Sequence, residues 1–217
     1  MKYIVFDLEM TSWKSKIRSE PNGCMYIYDK GEKVYLKVNY HEIIEIGAYK
    51  LNNEYQIIDK FQCYVKPINS LTSHCKKFTG ISEDNLKDAV KFNHAMNKFI
   101  DWINFNNNTK IYTWSKNDKR QIVNEAEKRA YDNNKINLLF SKYFDLQKQF
   151  SKEYNKRIHA GDKGYVYGLE QVLKMLNITV SKNKELHSAI VDAEYTAKIL
   201  QILGKYNLKV EINLIAK

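Results

Sequence analysis

The chain has 217 residues, 44% of them hydrophobic and 13% aromatic, with only two prolines and eight glycines. That balance fits one compact domain, 1–217, with a substantial core, and argues against disordered and linker-rich architectures. A net charge of +10 points to a polyanionic partner, either a nucleic acid or an acidic membrane surface. Part of the basic excess is a Lys, Asn, Ile and Tyr bias of the kind AT-rich coding produces.

No run approaches the roughly 18 apolar residues that span a membrane. The N-terminal apolar run, Tyr3 to Phe6, ends in acids after four residues, the wrong shape for a secretory signal. Cys24, Cys63 and Cys75 are odd in number and lack CxxC spacing, which argues against a disulfide framework or a thiolate zinc site. The expectation is a reduced, cytoplasmic protein with no membrane partner. Nothing in the chain sets an oligomeric state.

Residues 2 to 8 form the first expected strand, Tyr3-Ile4-Val5-Phe6 reading as buried on both faces and Asp7-Leu8-Glu9 closing it. Residues two apart on a strand share a side, so the two acids repel each other unless a cation lies between them. A divalent metal is the natural candidate, although an ordinary solvated loop can begin the same way. Residues 14 to 40 then interrupt the pattern. A basic opening, Lys14 to Arg18, precedes Met25-Tyr26-Ile27-Tyr28 and Val34-Tyr35-Leu36-Lys37-Val38, which flank Asp29 to Lys33 as a hairpin would. This tyrosine- and lysine-rich insertion is either a surface ribbon over a sheet edge or a nucleic-acid contact.

Residues 42–51 and 55–66 predict an antiparallel hairpin turning at Asn52-Asn53-Glu54. From Ser70 a helix carries Leu71, His74, Cys75 and Phe78 and stops at Gly80. A second helix places Phe92, Met96, Phe99, Ile100 and Ile103 on one stripe. Lys110 to Trp114 is a strand, and Asn117 or Asp118 opens a helix through about Tyr131. Further helices start near Asp145, Leu169 and Ser188. The last of these ends at Gly204 as a C′ glycine, before an edge strand over 207–217. This order predicts a mixed α/β sheet with the first strand central. Neither GxGxxG nor a phosphate loop occurs.

Asp118 falls just past the end of a strand expected to run parallel to the first, where ligands of open α/β sheets collect. By itself it is equally a first-turn acid favoured by the helix dipole. His187 and Asp192 open the last helix beside Ala189 and Ala193, whose small side chains permit close packing on the sheet. Each residue alone has an ordinary explanation. Together, four acids and a histidine fall where this topology converges.

Phe6-Asp7-Leu8-Glu9, Trp114-Ser115-Lys116-Asn117-Asp118, and His187 with Asp192 resemble the DEDDh 3′→5′ exonucleases of the ribonuclease H-like fold. Glu42 to Ala48, Phe61 to Pro67 and Cys75 to Ile81 are similar to the Eri-type exoribonuclease subgroup, which includes KapD-like bacterial proteins. The resemblance implies a mixed five-stranded sheet, its first three strands antiparallel and the rest parallel, flanked by helices, with the hairpin insertion added. It further implies two Mg²⁺ or Mn²⁺ ions. Asp7 would bridge them, Glu9 and Asp192 would hold the ion that activates water, Asp118 would support the other, and His187 would be the general base. The implied substrate is RNA, or single-stranded DNA, cut to nucleoside 5′-monophosphates. The alternatives are a DNA proofreading or repair exonuclease and a non-catalytic binding module of the same fold. Leu8, Met10, Thr11, Ile81 and Trp114 are candidate contacts to the 3′ end, with core packing the competing role of the apolar ones. Lys116, Lys119, Arg120 and Lys163 could guide the phosphates or simply be solvated. Two departures bear on the substrate: Met10 stands where the subgroup usually has a small residue, and the long insertion follows the first motif.

Overall fold

The computed structural model describes residues 1–158, 165–181 and 186–205; Lys163 and the 207–217 tail lie outside them. Strand β1 (Lys2–Met10) leads into a short β2 (Arg18–Ser19), β3 (Met25–Asp29) and β4 (Glu32–Leu36), then β5 (Ile43–Leu51) and β6 (Ile57–Tyr64). Next come α1 (Ser73–Thr79), α2 (Phe92–Ile103), β7 (Thr109–Thr113), α3 (Lys116–Lys128) and α4 (Asn133–Leu139). The chain continues through β8 (Tyr143–Asp145), α5 (Leu146–Arg157), α6 (Leu169–Met175) and α7 (Ala189–Lys205). The main sheet has the order β6-β5-β1-β7-β8. Its β6, β5 and β1 pair antiparallel, and β7 and β8 join in parallel. No helix among the described residues is long and apolar enough to cross a membrane.

The period of two along β1 divides the interior. Ile4, Phe6 and Leu8 point into one core, with Ile46 and Ala48 of β5, the α2 stripe Phe92, Met96, Phe99 and Ile103, and Ile122 and Ala126 of α3. Tyr3 and Val5 point the other way, to Ala193, Ala197, Leu200 and Leu203 of α7 and to Phe150 of α5. Both faces of the central strand are therefore covered, as the apolar run required. On the α7 side the row continues as Asp7 and Glu9.

Four features depart from expectation. The insertion is a separate three-stranded antiparallel sheet, β2-β3-β4, because Arg18 and Ser19 pair with Tyr26 and Met25. The fifth strand of the main sheet is β8, three residues long and too short to show alternation. Helix α4 was not anticipated; only Ile136 and Leu139 of its seven residues are buried, and Asp132 caps it. Gly204 lies inside α7 and does not terminate it: a Cβ there would come 2.4 Å from the Tyr55 ring, so the glycine allows close packing.

An ion-pair network fixes α3 against the start of β5. Arg129 reaches Glu42 and Glu125, both at 2.8 Å, while Glu125 accepts the Ile43 N–H and Glu42 accepts those of Ile68 and Asn69. All four carboxylate oxygens accept a hydrogen bond, and one guanidinium is shared between the two buried acids. The helix that carries Asp118 is held in register with the sheet.

Candidate active site

Three elements deliver the acids. Asp7 and Glu9 leave the α7 face of β1 at its C-terminal end. Asp118 sits in the first turn of α3, where Ser115 caps the helix by accepting the Asn117 N–H. Its carboxylate faces the backbone N–H of Leu8, so α3 reaches over the end of β1 from the opposite core. Asp192 lies in the first turn of α7. Asp7, Glu9 and Asp192 each offer an oxygen within 4.8 Å of the others. Among the described residues, no Lys or Arg is paired with any of the four acids.

Close approach of α7 makes this convergence possible. Gly47 lies opposite Asp7 in the register, and a Cβ there would fall 2.2 Å from the Ile190 nitrogen and 2.3 Å from the Ala189 carbonyl carbon. Two residues earlier, Glu45 pairs with Glu9 across the strands and turns its buried carboxylate to the start of α7. It accepts the Ala189 N–H at 2.9 Å and the Gln62 amide at 2.7 Å. Glu45 thus anchors the end of the helix that carries Asp192. Sequence reasoning had not assigned it a role, although an acid inside the apolar run Ile43–Ile46 was a visible signal.

The clustered carboxylates are strongly perturbed. Burial, then the charges of Asp118, Asp192, Glu9 and Glu45, raise Asp7 well above the carboxylate range. Burial followed by Asp192, Glu45 and Asp118 pushes Glu9 up to about 8. Asp118 rises to about 7 and Asp192 to about 6, burial being the largest cause in each. Hard, anionic oxygens packed together without a compensating side-chain cation are the donor set that Mg²⁺ or Mn²⁺ takes, so the residues fit divalent ions.

A sign follows for stability. These folded-state values lie above the roughly 4 expected in the unfolded chain, so without metal the folded protein holds protons that the unfolded chain releases. In EDTA, thermal stability is therefore expected to fall as pH rises from about 5 to 8. With Mn²⁺, whose ligands must be deprotonated, the stabilisation by metal grows over the same interval. Thermal unfolding across that pH range checks this; a curve rising in EDTA would contradict it.

His187 adopts a left-handed backbone, φ 75°, and its N–H points to Asp192 Oδ1 at 3.4 Å. Its exposed ring packs on Phe78, centroids 4.4 Å apart. Phe78, one of the residues whose spacing marked α1, is half exposed and serves as this platform. His187 and Phe78 line a cavity of about 260 Å³ together with Lys77, Ile81 and Glu45. Of the remaining contact candidates, Met10 is half-buried at the end of β1. Leu8 and Trp114 pack in the two cores, and the Thr11 hydroxyl accepts the Glu42 N–H at 2.8 Å.

Residues 4–200 match the RNase_T family, described as Exonuclease. The chain belongs to this exonuclease family. It is a DEDDh-type 3′→5′ exonuclease, and the acidic cluster of Asp7, Glu9 and Asp192 is consistent with its active site. Its sequence is 26% identical to DNA polymerase III subunit epsilon of Buchnera aphidicola subsp. Baizongia pistaciae over 96% of this chain and 73% of that protein. It is 42% identical to human 3′-5′ exoribonuclease 1 over 29% of this chain and 19% of that protein. Against DNA polymerase III PolC-type of Bacillus subtilis it covers 11% of the polymerase at 25% identity. In fold, it is similar to the nuclease domain of 3′hExo, a DEDDh family member solved with rAMP, at TM-score 0.71 and 20% identity over 96% and 94% of the two chains. The zinc-bound E. coli ExoI–ssDNA complex gives 0.64 at 13% identity over 98% and 42%. The exonuclease is thus similar both to proteins named for RNA and to proteins named for DNA. DEDDh enzymes use divalent metals, and this chain has the acids to hold them.

Proposed function

We propose that this exonuclease removes nucleotides one at a time from the 3′ end of RNA, with single-stranded DNA a second substrate, using two Mg²⁺ or Mn²⁺ ions. The convergence of Asp7, Glu9 and Asp192 within 4.8 Å at the end of a central strand carries the chemistry. Asp7, Glu9 and Asp192 would hold the ions, with Asp118 supporting them. Ions bound there acidify a water and neutralise charge on the scissile phosphate. His187, at the rim, would take the water's proton. Its backbone bond to Asp192 and its Phe78 platform support that task by limiting where the ring can go. Backbone groups of Leu8 and Met10 would read the terminal 3′-hydroxyl. Ile81, lining the cavity beside His187, would bound the terminal nucleotide.

The segment 42% identical to human 3′-5′ exoribonuclease 1 supports RNA. The 96% coverage by the Buchnera epsilon subunit supports a second reading, proofreading or repair of DNA ends. Rates on matched RNA and DNA 15-mers with free 3′ ends separate them. The expected result is faster RNA degradation and nucleoside 5′-monophosphate products; preference for mismatched DNA termini would favour the second reading.

A further inference from the structure

We propose that the outer face of the β2-β3-β4 sheet is a stacking ledge for the single-stranded stretch of substrate upstream of the 3′ end; this rests on the exonuclease reading above. The inference comes from the two faces of the ribbon. Cross-strand partners share a face, and the register pairs Tyr26 with Tyr35, Tyr28 with Lys33, and Arg18 with Tyr26. The opposite face carries Ile27 and Leu36, both buried, and Asp29, whose carboxylate accepts the Ser73 N–H at 2.8 Å. That inner face alone covers the protein beneath. Polar side chains of any kind would serve on the outer one, yet three of the four outward positions of the β3-β4 hairpin are tyrosines and the fourth is lysine.

Tyr35 is 58% exposed and Tyr28 39%. Arg18 lies over the Tyr28 ring at 5.1 Å and Lys33 over the Tyr26 ring at 4.4 Å. Exposed rings with cations held against them provide what an unpaired strand needs: aromatic surface for bases and positive charge for the phosphates between them. Glu20, bound to Lys33 at 2.7 Å, offsets part of that charge. The insertion as a whole remains basic, with Lys14, Lys16, Arg18, Lys30, Lys33 and Lys37 against Glu20, Asp29 and Glu32.

Position supports the same occupant. The insertion leaves and rejoins the fold at one clamp, where the Thr11 N–H donates to the Glu42 carbonyl at 2.8 Å and the Glu42 N–H to the Thr11 hydroxyl at 2.8 Å. That clamp directly follows Met10 at the acid-bearing end of β1. The ribbon's turn is fixed through Asp29 to the start of α1, whose last turn, about 8 Å along the axis at 1.5 Å per residue, carries Phe78 against His187. Substrate with its terminus at the acids can therefore extend towards the tyrosines.

The test compares dinucleotides with 5′-fluorescein-labelled 15-mers of oligo(A) RNA, in the parent and in a Tyr28→Ala/Tyr35→Ala variant. Because each lost stack weakens binding by roughly 5- to 100-fold, the variant should show KM for the 15-mer raised at least about tenfold, with dinucleotide turnover changed less than twofold. Anisotropy of the same RNA in EDTA should show a matching loss of affinity, and Tyr28→Phe/Tyr35→Phe should restore both. Equal losses at both lengths, or unchanged KM and affinity for the 15-mer, would overturn the ledge while leaving the exonuclease reading standing. If the parent shortens neither substrate, both fail.

Discussion

Asp7→Asn is expected to reduce hydrolysis by at least about a thousandfold and, in EDTA at pH 8, to make the protein more stable than the parent. The first effect follows from position: Asp7 lies in the group with Glu9 and Asp192 and feels the charge of Asp118, so an amide there weakens cation binding at the site. Loss of about 4 kcal/mol of transition-state charge stabilisation corresponds to that factor. The second effect has the opposite sign because the carboxyl is held in an environment that resists its ionisation, through burial first and neighbouring acids next. A neutral isostere removes that penalty, and at roughly 2–4 °C per kcal/mol for a chain of this size a rise of a few degrees in Tm is expected. Added Mn²⁺ should then stabilise the variant far less than the parent. Loss of activity with a lower metal-free Tm would mean Asp7 is a structural residue.

The second large effect is Gly47→Ala. The atoms a Cβ would meet are backbone atoms of Ile190 and Ala189, so no side-chain rotation relieves the overlap and α7 must retreat from β5. Displacement by about 1 Å moves Asp192 and His187 relative to Asp7 and Glu9, and misplacement on that scale costs about a hundredfold in rate. Strain of this kind also costs about 1–3 kcal/mol of stability. Gly204→Ala is the control: it sits on the same helix, but its clash is with the Tyr55 ring, far along the chain from Asp192. It should lower Tm while retaining most of kcat. Equal activity losses from the two substitutions would show that α7 acts only through global stability.

The parts of this architecture legible in the sequence were those written locally. The run Tyr3–Phe6 and its closing acids marked a central strand, the Phe92–Ile103 stripe marked a helix, and Gly80 marked the end of α1, where it adopts a left-handed φ of 69°. Asp118, His187 and Asp192 were legible only jointly, because each has an ordinary role at a helix start. What escaped depends on contacts between distant segments. The requirement at Gly47 comes from a helix some 140 residues later, and so does the role of Glu45, which meets the Ala189 N–H. Gly204 was read through a local rule for helix ends, whereas Tyr55 dictates it. Strand β8 is too short for periodicity to register, helix α4 buries only Ile136 and Leu139, and the pairing of Arg18 with Tyr26 that makes the insertion three-stranded involves only two residues.

The central claim is that four converging carboxylates hold the divalent ions with which this chain trims 3′ ends. Its most direct test follows a 5′-labelled single-stranded RNA 15-mer, with either a free 3′-hydroxyl or a 3′-phosphate, incubated with the parent protein in Mn²⁺ or in EDTA. The expected result is a ladder shortening one nucleotide at a time from the free 3′ end, blocked by the 3′-phosphate and absent in EDTA. Shortening that persists in EDTA, or internal cuts independent of the 3′ terminus, would contradict it.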